Sequence, residues 1–214
     1  LSFVRSESDV KELRKILDKK NSSAKIISKI ENQEGLDNIH EITKASDLVM
    51  VARGDLGIET DLADLPNIQR RIMYSTAKNG KRSIVATHLL ESMIDNPTPT
   101  RAEVTDVANA IYEGADAVML SGETTVGNYP LKCVEMLKRI ALKTEEFRTL
   151  GYERFLKSDS DWQNIALAAR DLASSIEANG IVVITRSGET ANVVSNTKPF
   201  RMPVFAFTDN DVTY

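Results

Sequence analysis

With 214 residues, 42% of them hydrophobic and 27% charged, the chain is long enough to bury a sizeable core and is balanced like a globular protein. Lys and Arg number 27 against 31 Asp and Glu, a net charge of −4 with no Lys/Arg-dense stretch interleaved with aromatics, which argues against a nucleic-acid partner. No apolar run approaches a membrane span, nothing reads as a signal peptide, and a single cysteine excludes a disulfide within the chain, so no membrane contact and a reducing, cytoplasmic setting are expected.

Leu1 to Arg5 reads as the end of a strand whose start is missing, and Tyr214 ends the sequence abruptly, so an internal piece of a longer protein is expected. Ser6-Glu7-Ser8-Asp9 opens a helix to about Asp18, with Val10, Leu13, Ile16 and Leu17 on one face. The rest of the chain is organised around the stretch Lys25 to Gly57. One apolar strand, Lys25 to Ile30, runs into Glu31-Asn32, and a second, Leu48 to Ala52, runs into Arg53-Gly54-Asp55-Leu56-Gly57. A helical segment from Glu34 to Lys44, with Leu36, Ile39 and Ile42 three apart, joins them. Strand, helix and strand make a βαβ unit with parallel strands, so both charged clusters fall at the same carboxyl-terminal edge. Lys29, Glu31 and Asp55 are therefore expected close together. Gly54 and Gly57 are expected to let the backbone approach a ligand and turn its N–H groups outward.

Leu62 to Asn79 has a helical pattern that Asn79-Gly80 ends. Ser83 to Thr87 is a strand, Pro97 and Pro99 break the chain, and Thr100-Arg101-Ala102-Glu103 is a capping box opening another helix. Ala117 to Leu120 is a strand that runs into Ser121-Gly122-Glu123-Thr124, where Ser121 and Glu123 read equally as rim residues or as helix caps. A long helix from Pro130 to about Arg148 carries Cys133 among apolar positions, so a packed thiol is expected. Gly151 to Asp161 reads as a linker, after which a helix, the strand Ile181 to Ile184, a helix from Glu189 and the strand Val204 to Phe207 begin a second α/β pattern. Two domains are expected, residues 1–150 and 151–214.

Strand ends near residues 4, 30, 52, 87 and 120 are spaced close to the roughly 31 residues per unit of a (β/α)₈ barrel of ~250 residues. A doubly wound sheet has the same local pattern and stays open on pattern alone. Two carboxylates and a lysine on one rim suit a hard divalent ion and an anionic substrate, since Mg²⁺ is usually held by one or two carboxylates, substrate oxygens and water. Lys29 has the charge to neutralise a phosphoryl group in transfer.

Five motifs in this order, ISKIEN, VARGDLG, ATHLLESM, PTRAEVTDVANA and MLSGET, closely resemble those of the pyruvate kinase family. The resemblance covers nearly the whole chain and implies an α/β fold: a partial (β/α)₈ TIM barrel, its later half in residues 1–150, followed by a linker and the start of an α/β carboxyl-terminal domain. It implies phosphoryl transfer from phosphoenolpyruvate to ADP, giving pyruvate and ATP, with Mg²⁺ or Mn²⁺ and K⁺ as cofactors and a homotetrameric assembly. It implies that Lys29 stabilises the phosphoryl group, that Glu31 and Asp55 ligate the divalent metal, and that Gly54, Asp55 and Thr87 bind substrate. His88 stands where the family usually has glutamine, and Glu189 puts a negative charge in the Thr185–Thr190 loop, where relatives that hold a sugar phosphate often carry arginine. The family's nucleotide-binding arginines, its monovalent-cation residues and an inserted small domain have no counterpart from Leu1 onward, so residues 1–214 alone are expected to be inactive. Two rival readings are a Mg²⁺-dependent lyase or aldolase of the pyruvate-enolate type on a similar barrel, and a non-catalytic metabolite-binding paralogue.

Overall fold

The computed structural model describes residues 1–157 and 160–211; residues 158–159 of the expected linker and 212–214 at the end of the expected second domain lie outside the described residues. The chain divides into two compact units, Leu1–Tyr152 and Glu153–Tyr214.

The first unit is built on four parallel strands, β1 (Ile27–Ile30), β2 (Leu48–Ala52), β3 (Arg82–Ala86) and β4 (Ala117–Met119), hydrogen-bonded in the order β1-β2-β3-β4. Each strand lies beside the next in sequence, with no reversal of direction across the sheet. A doubly wound sheet reverses its strand order at a switch point, whereas a barrel runs in sequence, so this order is that of a partial (β/α)₈ barrel. Val49, Val51, Val85 and Ile30 are buried in one core with Ile42, Leu56, Ile72, Met73, Val107 and Cys133 from the helices. Strands so covered read as continuous apolar runs rather than as alternating ones, which is what LVMVA shows.

The helices are α1 (Glu7–Lys19), α2 (Gln33–Asp37), α3 (Ile39–Ala45), α4 (Arg53–Glu59), α5 (Leu65–Lys78), α6 (Arg101–Tyr112), α7 (Gly122–Thr125) and α8 (Pro130–Thr144). The single helix expected from Glu34 to Lys44 is two, divided at Asn38, whose side-chain amide donates to Arg5 O at 2.9 Å and ties the break to the opening segment. Leu1 to Arg5 exchanges bonds with β1 (Leu1 N to Ile27 O, 2.8 Å; Lys29 N to Leu1 O, 2.9 Å) without forming a strand, because Phe3 turns to φ +50°. Gly54 and Gly57 are not turn formers: β2 runs straight into α4, and neither has a positive φ. Cys133 is fully buried, with its thiol donating to Met93 O at 3.8 Å, and burial pushes its pKa up.

The amino-terminal edge of the sheet is closed by structural carboxylates. Asp47 accepts from Ile26 N at 2.7 Å and pairs with Arg14 at 2.5 Å, and Asp116 accepts from Ser83 N at 2.8 Å. The capping box of α6 forms as its sequence predicts. Glu103 accepts from Thr100 N and from Ser92 N, each at 2.7 Å, and from the Ser92 hydroxyl. Burial pushes this carboxyl up, but those donors outweigh it and leave its pKa below the ordinary 4.5. A depressed folded pKa contributes stability that is complete above 4.5 and is lost as pH falls through the folded value. Glu103→Gln is therefore expected to cost about 1–2 kcal/mol at pH 7 and less at pH 3, read by urea unfolding. An equal loss at both pH values would show that the carboxylate charge contributes nothing.

In the second unit, β5 (Ile181–Ile184) and β6 (Val204–Phe207) pair in parallel, and α9 (Asp161–Ser175) and α10 (Glu189–Asn196) cover one face through Ala166, Val183 and Val194. The other face leaves Val182, Ile184, Phe205 and Phe207 exposed. Among the described residues, no helix is long and apolar enough to cross a membrane.

Candidate functional site

Register brings the carboxyl ends of the four strands side by side: Ile30 pairs with Val51, Ala52 with Ala86, and Ala86 with Met119. Each strand then releases chemistry-bearing residues onto one rim, Glu31 after β1, Arg53 to Asp55 after β2, Thr87-His88 after β3 and Ser121 to Glu123 after β4.

Lys29, Glu31 and Asp55 come together as the βαβ reading expects. Glu31 is fully buried, and its Oε2 accepts from Phe3 N at 2.6 Å. The Lys29 ammonium lies against Oε1 in a contact that is Coulombic rather than directional, since no donor is aligned on that buried oxygen. The Lys29 ammonium also reaches Ser2 Oγ at 3.4 Å, and its side chain remains one-third exposed. On the other side, the Asp55 carboxyl lies close enough for the two carboxyls to shift one another's proton affinity. Burial pushes Glu31 up, but Lys29 and the Phe3 amide overcome it and hold the group below the usual range. For Asp55, burial and the neighbouring Glu31 carboxylate act in the same direction and raise it. Two carboxyls that share a site and divide their affinities in this way are short of positive charge. The donor set fits a divalent cation: two carboxylate groups, one with a buried oxygen that has only the Lys29 ammonium against it and no aligned hydrogen bond. Among the described residues no group of three or more His, Cys, Asp or Glu side chains is placed to hold a metal ion by itself.

Beside this pair, Gly54 N donates to Thr87 Oγ1 at 2.8 Å, while that hydroxyl donates to Ala86 O at 2.6 Å. The amide expected to hold a substrate group thus already has an internal acceptor. A Cβ at Gly54 would be in ordinary contact with Thr87 Oγ1 at 3.6 Å and His88 Cε1 at 3.7 Å, so hydroxyl and imidazole both stand next to this glycine. Thr87 and His88 are both left-handed, at φ +69° and +53°. For a β-branched residue that conformation is an outlier, costing roughly 1–2 kcal/mol.

Arg53 holds the pair in place. Only 7% exposed, it donates from Nε (3.1 Å) and Nη2 (2.7 Å) to Thr87 O, from Nη2 to His88 O at 3.1 Å, and from Nη1 to Asp106 Oδ1 at 2.7 Å. It braces two strained carbonyls as well as a carboxylate, and neither carbonyl is foreshadowed by any local pattern. Arg53→Met should lower stability by about 3 kcal/mol, because two carbonyls lose their donors. Arg53→Lys should restore less than half of that, since an ammonium cannot fork as a guanidinium does. Full recovery by lysine in urea unfolding would show that charge alone is what the site requires.

Glu123 resolves toward structure. It is 2% exposed and accepts from Leu90 N at 3.1 Å and Ser121 N at 2.7 Å, tying the end of β4 to the segment after β3. The Thr185–Thr190 loop forms a strand-to-helix turn, with Gly188 at φ +79° and its N–H donating to Thr185 Oγ1 at 3.0 Å.

Fold and rim together define a parallel α/β-barrel chain with a carboxylate pair and a lysine at its carboxyl-terminal edge. A family model described as pyruvate kinase, barrel domain, matches residues 1–134, and one described as pyruvate kinase, alpha/beta domain, matches residues 163–214. The chain is 44% identical to pyruvate kinases from Bacillus licheniformis (98% of this chain, 37% of the relative), Methanocaldococcus jannaschii (91% and 44%) and Clostridium perfringens (97% and 45%). The chain belongs to the pyruvate kinase family. It spans about two fifths of the length of these curated relatives.

Proposed function

We propose that a protein of full family length containing this chain transfers the phosphoryl group of phosphoenolpyruvate to ADP, giving pyruvate and ATP, as a cytoplasmic glycolytic kinase. The observation that carries the reading is the Glu31–Asp55 carboxyl pair with the Lys29 ammonium against it, on the rim where a barrel gathers its chemistry. Glu31 and Asp55 would hold Mg²⁺ or Mn²⁺, which supplies charge stabilisation to the substrate's oxygens when bound. Lys29 faces the same space, so its charge serves the phosphoryl group as it leaves the enol oxygen for a phosphate oxygen of ADP. The P–O bond to the enol oxygen breaks, the bond to ADP forms, and the resulting enolate takes a proton at carbon to become pyruvate. Gly54, Asp55 and Thr87 orient the substrate, with the Gly54 amide exchanging its internal acceptor for the substrate carboxylate. Residues 1–150 form the barrel part, and 151–214 the linker and opening of the carboxyl-terminal domain. K⁺ dependence and a homotetramer belong to the same proposal through family membership.

The test is a purified protein of full family length in a coupled assay for pyruvate and ATP. Turnover requiring phosphoenolpyruvate, ADP and a divalent ion together is the expected result. Pyruvate release that is independent of ADP would instead point to a lyase, and no ATP under any condition would overturn the proposal.

A further inference from the structure

His88 has no part in the phosphoryl-transfer chemistry of Lys29, Glu31 and Asp55, yet the fold goes to some length to position it. Its backbone is left-handed directly after a left-handed threonine, and the buried Arg53 guanidinium fixes both carbonyls. Strain of this kind persists where surrounding groups over-determine it, which is common around ligands. The result is an imidazole whose Cε1 lies 3.7 Å from the Cβ position of Gly54, with Thr87 Oγ1 at 3.6 Å from the same point. Hydroxyl and imidazole thus both stand beside Gly54, whose amide donates to that hydroxyl. The ring itself is not tied down. Among the described residues it makes one long contact, Nε2 to Glu91 Oε1 at 3.8 Å, and its side chain is 57% exposed. An imidazole with both nitrogens outside hydrogen-bond distance of any partner has a donor to give.

We propose that His88 contacts the substrate: its imidazole donates a hydrogen bond to the carboxylate seated at Gly54 and Thr87, making it a specificity-determining residue for anionic three-carbon acids. The inference rests on the pyruvate kinase reading, because that reading places a carboxylate at Gly54. A second donor beside Gly54 and Thr87 would hold the carboxylate and leave the phosphoryl end free. Its contribution falls on binding rather than on the bond-breaking step, since the carboxylate keeps its charge throughout the reaction.

Three variants of the full-length protein separate contact from scaffold. His88→Gln keeps a side-chain N–H donor of comparable reach. His88→Asn keeps the backbone preference, because asparagine takes the left-handed region readily, but its amide is too short. His88→Ala removes donor and preference together. The KM for phosphoenolpyruvate should rise about tenfold in the alanine and asparagine variants, the ratio that one hydrogen bond to a charged group supplies, with a smaller change in kcat. The glutamine variant should stay within about threefold of the parent. Titration with phosphoenolpyruvate and Mg²⁺, without ADP, should give the same order of affinities. Unchanged KM and affinity in the alanine variant would overturn the proposal, as would a KM raised equally in glutamine and alanine. A KM raised in alanine but normal in asparagine would assign the effect to the backbone and overturn it too. An inactive parent protein would instead sink the pyruvate kinase reading, and the inference with it.

Discussion

Glu31→Gln in the full-length protein should weaken Mn²⁺ binding at least about 100-fold, since even the outer partners of metal ligands cost 10–100-fold when removed. Turnover should fall by about 10³ or more. The substitution is nearly isosteric, and the amide oxygen of glutamine can still accept from Phe3 N, which serves the carboxylate at 2.6 Å. The fold is therefore retained while the charge is lost. A thermal melt close to the parent's, together with metal titration by calorimetry or by the Mn²⁺ resonance signal, checks both halves. Unaltered Mn²⁺ affinity would remove Glu31 from the metal site.

Lys29→Met should lower kcat by about 10³ and change the KM for phosphoenolpyruvate by less than about threefold, if as proposed the ammonium acts on charge that develops as the phosphoryl group moves. Its effect on the metal should have the opposite sign to that of Glu31→Gln. Lys29 lies against Glu31 Oε1 and competes with any other cation for that oxygen, so Mn²⁺ affinity should stay level or tighten. A variant with normal kcat and a raised KM would reduce Lys29 to a substrate-binding charge. One that loses metal affinity would show that Lys29 supports the geometry of the carboxyl pair.

What was legible in the sequence was whatever repeats locally. The apolar runs around Val49 and Val85 and the Thr100–Glu103 box declare strands and a helix start through period and capping chemistry, and parallel pairing then places Lys29, Glu31 and Asp55 on one edge. The break at Asn38 was hidden, because Leu36, Ile39 and Ile42 keep helical spacing across it. The cause lies 33 positions away in sequence, at Arg5 O. The partners that finish the site are of the same kind. Phe3 serves Glu31 through a backbone N–H that every non-proline residue has, and Arg53 finds Asp106 and two carbonyls across the sheet edge. Side-chain identity carries no record of such pairings. The glycine of VARGDLG is expected to let the backbone approach a ligand, whereas in the structure its neighbours are Thr87 and His88 and its N–H serves the Thr87 hydroxyl.

If a substrate carboxylate seats at Gly54 as proposed, the bond from the Gly54 amide to Thr87 Oγ1 also sets an entry condition for it. An arriving group does not meet an unserved donor; it must displace a neutral hydroxyl already in good geometry at 2.8 Å. A ketone or ester oxygen is no better an acceptor than that hydroxyl, so the exchange gains it almost nothing. A carboxylate accepts more strongly by about 1 kcal/mol or more, and the exchange favours it. On the proposed function, the resting hydroxyl would thereby screen out uncharged look-alikes before any catalytic group is engaged, and it would do so without a steric gate.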